Sequence, residues 1–236
     1  MQRKDSGPSN AGQGQEMSLP YDMISLESLG SFMLFGPIDG NTAFATCDFV
    51  IKANMLQMNN DPLTFLINSP GGDVNDGFAI IDIMETSRLP IHTVGTGIIA
   101  SMALLILSAG EKGKRVLTKN TQIMAHQWMS GVEGKFHELM AVTNEHMRLK
   151  QMFINHFKRH STMTEKQIND VLFSPSDRWL TPQECKKYGL VDHVTDYLEV
   201  PWPPKEKAPA EPKPKAAAKP KAATKPKADR QPKSSQ

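Results

Sequence analysis

The spacing of apolar and polar positions changes several times along the chain. Ser31–Phe35 (SFMLF) and Pro62–Ile67 (PLTFLI) are short apolar runs that read as buried strands. Between them Phe44, Cys47, Ile51, Met55 and Met58 recur at three- and four-residue intervals, which predicts a helix. Pro90–Val94 reads as a third strand, preceded by a helix through Phe78, Ile81, Met84 and Glu85. Arg115–Leu117 and Gln122–Ala125 read as two more strands. This alternation predicts an α/β fold with a mostly parallel sheet. Residues 134–159 carry one long amphipathic pattern through Phe136, Met140, Thr143, Met147, Phe153 and Phe157. A helix of that length projects from the body or packs on a neighbour. Two shorter helices are marked by their caps: Thr164 with Gln167, and Thr181, Pro182 and Glu184 with Gly189 just past the end.

The two ends break these patterns. The first 16 residues are rich in Gly, Ser, Asn and Gln, and the disordered N-terminal segment is set at 1–17, ahead of a body at 18–200. Residues 201–236 form a Lys-Pro-Ala tract holding nine of the chain's seventeen prolines, ten Lys/Arg and three Asp/Glu. Proline at that density blocks helix and sheet, so a disordered basic tail is expected. It reads as a solvated tail, with a tether to nucleic acid or another polyanion as the sharper alternative. The rest of the chain carries 17 basic and 22 acidic residues, so the overall charge of +2 does not point to a nucleic-acid-binding body. The longest apolar stretch, residues 97–110, falls short of the ~20 needed to cross a membrane and reads as a buried core helix. No apolar leader opens the chain, so a cytoplasmic location is expected. Two cysteines, Cys47 and Cys185, exclude a disulfide scaffold and a cysteine-based zinc site.

Four segments hold candidate chemistry. Asn68–Asp73 (NSPGGD) follows a strand and opens a helix. Its two glycines allow either a tight turn or a close backbone approach to a ligand with amides turned outward. Gly95–Ala103 (GTGIIASMA) sets Ser101 near the start of a buried helix, as a cap, a packing residue or a nucleophile with a fixed hydroxyl. His126 ends an apolar strand, where one ring nitrogen can face a cleft. Asp177 stands just before the capped helix at Thr181, in a turn role or as the group that orients a histidine. The other six histidines are read as lacking HExxH or paired-ligand spacing, so no metal site is expected. His137, His156 and His160 read as surface or interface residues of the long helix. Composition and spacing alone support a weak hydrolase hypothesis.

Taken together, INSPGGDVNDG, GTGIIASMALLILSAG, QIMAHQ and SDRWLTPQECKKYGLVD resemble the proteolytic subunit of the Clp protease, over about residues 30–196. The resemblance implies a crotonase-like (ClpP-type) fold whose subunits stack as two rings, heptameric in the family, around a chamber. It implies Ser101 as nucleophile, His126 as general base and Asp177 as its orienter. The backbone N–H groups of Gly72 and Met102 would form the oxyanion hole. Pro70, Gly71, Asp73 and Val74 would offer a strip for pairing with a peptide strand. The implied substrate is unfolded polypeptide, fed by a separate AAA+ unfoldase that consumes ATP. No metal or nucleotide is implied for this subunit itself, and no membrane.

The sequence departs from the family pattern at three places. Gln127, Trp128 and Met129 stand where Gln-Pro and glycines are usual, and Ser176 where an arginine often precedes the aspartate. No clear counterpart of the pore-lining segment lies ahead of Ser18. Three other readings stay open: a specialised processing protease such as one acting in virus head maturation, an inactive or regulatory ring subunit, and an acyl-CoA-processing enzyme of the same fold.

Overall fold

The computed structural model describes residues 25–56, 61–127, 131 and 133–196. Met58, the N-terminal segment 1–17 and the basic tail 201–236 lie outside the described residues. The chain forms an α/β domain with seven strands and six helices among those residues. In chain order these are β1 (Ser31–Phe35), α1 (Gly40–Met55), β2 (Leu63–Ser69), α2 (Val74–Thr86), β3 (Ile91–Ala100) and α3 (Met102–Ser108). Then follow β4 (Arg115–Thr118), β5 (Gln122–Ala125), α4 (Phe136–His160), α5 (Glu165–Gln167), β6 (Arg178–Leu180), α6 (Pro182–Lys187) and β7 (His193–Thr195).

The strands pair in the order β1-β2-β3-β4-β7, all parallel, with β5 parallel to β3 and β6 antiparallel to β5. Parallel strands need crossovers, and α1 and α2 supply the first two. β2 alternates buried and half-buried side chains, with Leu63, Phe65, Ile67 and Ser69 buried. All seven residues of α3 are buried, so it runs through the core. Each fully buried Leu or Ile there contributes about 1.5–3 kcal/mol.

β3 does more than the short strand expected at Pro90–Val94. It continues to Ala100, so residues 97–100 of the expected core helix are strand and the helix begins only at Met102. The strand bends at Gly97, whose φ is +60°. A side chain there would meet the Asn68 amide, Cβ to Oδ1 at 2.6 Å, and Asn68 Oδ1 instead accepts from the Ile98 N–H at 3.0 Å. Before the bend Thr93–Gly95 pair with β4; after it Ile98–Ala100 pair with β5.

A second framework is polar. Arg115 is buried and donates from Nε and Nη2 to the Asp192 carboxylate at 2.9 and 2.8 Å. Its Nη1 donates to the carbonyls of Ser108 and His160, tying β4 to the ends of α3 and α4. Burial opposes ionisation of Asp192, but the hydrogen bonds from the Arg115 side chain and N–H, its charge and the Gly113 N–H outweigh it, holding the carboxyl at about 2.

Candidate functional site

Ser101 joins β3 to α3 with φ 53° and ψ −125°, the sole positive φ at a non-glycine position among the described residues. Such a conformation costs about 1–3 kcal/mol and persists where the surroundings hold it. Three contacts hold this one. The Ser101 N–H donates to the Met124 carbonyl at 3.0 Å, and the Ser101 carbonyl accepts from Leu104 N–H at 3.0 Å. Gly71 packs so closely that a Cβ on it would lie 2.6 Å from that of Ser101. Ser101 is the N-cap residue of α3, yet its side chain makes no cap hydrogen bond. The hydroxyl is therefore not committed to the helix.

Strand register brings the histidine toward this serine. In the β3–β5 ladder Ala100 lies opposite Met124, so the chain enters Ser101 on one strand as it approaches Ala125 and His126 on the other. Ser101 and His126 line the same cleft, of about 410 Å³. In the antiparallel β5–β6 ladder Ala125 lies opposite Arg178. Extending that register by one position sets His126 across from Asp177, the relation that puts side chains on one face. Asp177 is exposed and lies outside the cleft lining. Among the described residues no side-chain hydrogen bond joins Ser101, His126 and Asp177.

The cleft floor comes from the Pro70–Val74 turn. The Ile38 N–H donates to the Gly71 carbonyl at 2.9 Å, and the Asp73 N–H donates to the Ile38 carbonyl at 2.8 Å. This parallel bridge directs the N–H of the intervening Gly72 away from Ile38. Any side chain on Gly72 would overlap the Ile38 backbone. Met102 is the first residue of α3, and its N–H has no acceptor within the helix. Both residues line the cleft. One expectation is narrowed. Asp73 caps α2, its carboxylate accepting from Asn75 and Asp76 N–H at 2.8 and 3.0 Å, and Val74 is already helical. An extended strip open to strand pairing therefore ends at Asp73.

The opposite wall is apolar: Leu105, Phe153, Phe157, Leu172 and Phe173. Leu172 and Phe173 arrive on a π-helical turn at Ile168–Leu172, and the Phe153 and Phe173 rings lie 6.0 Å apart. The sequence reading did not assign this wall. Its signal was the spacing of Phe153 and Phe157, read only as helix periodicity.

The histidine reading also needs correction. His156 is fully buried, not at the surface, and its Nε2 lies 3.0 Å from both the Leu105 carbonyl and the Ser108 hydroxyl. Burial and the nearby His160 push its pKa down to about 3. Its position three residues after Phe153 on the buried stripe was the overlooked signal. His156 and His160 are also four apart, a paired-ligand spacing after all.

The domain described here corresponds to a defined class. The family description "Clp protease" matches residues 17–197, and the chain belongs to the Clp protease family, a family of peptidases. Among its relatives is the ATP-dependent Clp protease proteolytic subunit 2 of Corynebacterium glutamicum, 37% identical over 181 residues, covering 77% of this chain and 88% of that protein. The protein of the same name from Corynebacterium efficiens is 34% identical over 191 residues, covering 81% and 93%. That from Thermobifida fusca is 37% identical over 132 residues, covering 56% and 64%. No helix among the described residues is long and apolar enough to cross a membrane.

Proposed function

We propose that the chain is a serine endopeptidase that cleaves unfolded polypeptide inside a ring assembly of its own copies. The observation that carries this reading is Ser101: a strained serine with an uncommitted hydroxyl, facing the same cleft as His126. Serine is a weak nucleophile near neutral pH and needs an adjacent base. In the proposed step His126 takes the Ser101 proton as Oγ attacks the scissile carbonyl. The oxyanion is received by the N–H groups of Gly72 and Met102, each such donor contributing about 2.7–4 kcal/mol to the transition state. His126 then protonates the leaving amine, and water hydrolyses the acyl-enzyme. Asp177 receives the other ring N–H and stabilises the imidazolium. The three side chains must close their hydrogen bonds for this to proceed, and the β5–β6 pairing of Ala125 with Arg178 supports an approach of His126 and Asp177.

Substrate backbone pairs with the Pro70–Asp73 strip, and the apolar wall favours a large apolar side chain next to the scissile bond. An ATP-consuming unfoldase, a separate protein, delivers the polypeptide. The exposed apolar stripe of α4 supports assembly: Phe136, Met140 and Met147 are 79%, 46% and 65% exposed, and no α4 residue before Phe153 is buried.

The test is hydrolysis of a fluorogenic peptide with an apolar residue before the cleaved bond, together with fluorophosphonate labelling. The parent chain cleaves and is labelled once, and Ser101→Ala does neither. Unchanged cleavage by Ser101→Ala would overturn the assignment. The open hydrogen bonds favour one other reading, a ring subunit without activity. That subunit would assemble yet resist labelling.

A further inference from the structure

The far end of α4 holds a set of donor atoms that peptide-bond chemistry does not use. His156 and His160 are one helical turn apart, with ring centroids 4.5 Å apart and planes inclined by 31°. Glu85, in the last turn of α2, places Oε1 3.0 Å from His160 Nε2. One ligand atom from each of Glu85, His156 and His160 lies within 4.8 Å of the others.

The buried ring is half-satisfied. Nε2 of His156 has the Leu105 carbonyl and the Ser108 hydroxyl at 3.0 Å, whereas Nδ1 is buried without a hydrogen-bond partner. The Ser108 hydroxyl itself donates to the Leu105 carbonyl at 2.9 Å. A neutral ring whose Nε2–H donates to a main-chain carbonyl carries its lone pair on Nδ1. A metal-bound histidine is oriented in the same way, its second nitrogen held by a carbonyl or carboxylate. Two arginines lie nearby. Arg115 is paired with Asp192, and Arg159 reaches Glu85 only at 3.5 Å with a 60% exposed side chain.

We propose that Glu85, His156 and His160 bind a divalent transition-metal ion, cross-linking the C-terminal turns of α2 and α4. Two imidazoles and one carboxylate suit zinc, with water as the fourth ligand from the open side at Glu85. Metal–ligand bonds of about 2 Å bring the three donors closer together around the ion and replace the His160–Glu85 hydrogen bond. The ion would brace the helix that supplies Phe153 and Phe157 to the cleft wall.

The test uses the full chain, stripped with a chelator and titrated with zinc chloride in a calorimeter, alongside its melting curve. We expect one zinc per chain and a higher melting temperature. Glu85→Gln and His160→Gln, at partly exposed positions, should each weaken binding by at least ~10-fold and keep the metal-free melting temperature near that of the parent. Absence of a one-per-chain site would overturn the proposal. So would unchanged affinity in both variants, which would move the zinc to other histidines. Neither readout depends on Ser101, so a failed protease assignment leaves this test intact.

Discussion

At the scale of single residues, Ser101 is held against its local backbone preference. A serine at φ 53° and ψ −125° sits where glycine is at ease. The strain is offset by the β3–β5 hydrogen bond to Met124 and by packing against Gly71. Ser101→Ala retains the strain and loses only the proposed nucleophile, so its thermal stability should match the parent. Ser101→Gly relieves the strain and should be more stable than Ser101→Ala by about 1 kcal/mol in urea unfolding. A glycine variant no more stable than the alanine one would show that the conformation stores no energy.

Among the elements, β3 governs where Ser101 meets the proposed base. Its bend at Gly97 lets one strand pair with β4 and then with β5, and the second pairing brings Ser101 beside the end of β5. Gly97→Ala introduces a Cβ against Asn68 and a side chain at φ +60°. We predict a loss of about 1–3 kcal/mol in stability and a fall in kcat larger than any change in KM, measured on the fluorogenic peptide. The Arg115–Asp192 pair acts at the same scale. With its folded pKa at about 2 against an ordinary 3.8, Asp192 contributes stability that is present above about pH 4 and lost as the pH falls toward 2. The unfolded chain binds more protons across that window, so acid favours it. Asp192→Asn should lower the melting temperature at neutral pH and flatten its decline between about pH 4 and pH 2. An equally steep decline in the variant would assign the acid sensitivity to other groups.

For the whole molecule, the informative feature is an imbalance on α4. At 1.5 Å per residue its 25 residues extend for about 37 Å, but its buried positions, Phe153, Ile154, His156 and Phe157, all fall in the last third. Phe136, Leu139, Met140 and Met147, in the earlier turns, are left exposed within the described domain. In a ring assembly they would lie against another copy. Met140→Glu with Met147→Glu should therefore reduce the native mass without lowering helix content in circular dichroism. An unchanged native mass would remove α4 from the proposed interface.

What was legible in the sequence followed from short-range physics. β1 and β5 were bounded correctly because continuous apolar runs end at polar or turn residues, and the Thr164 and Thr181 caps because a capping box needs only four adjacent residues. β6 and β7, three residues each, are too short to show a period, and their pairing partners lie far away in the chain. Residues 97–100 read as part of the core helix because only the approach of Asn68 and the change of partner reveal that β3 runs on through a bend at Gly97. The segments around Ser101, His126 and Asp177 could be picked out by residue type and order. That Ser101 shares a cleft with His126, and that β6 pairs with β5 just before Ala125 gives way to His126, was decided by strand pairing between distant segments. The burial of His156 was decided in the same way, because a helix face becomes interior only when other elements pack over it.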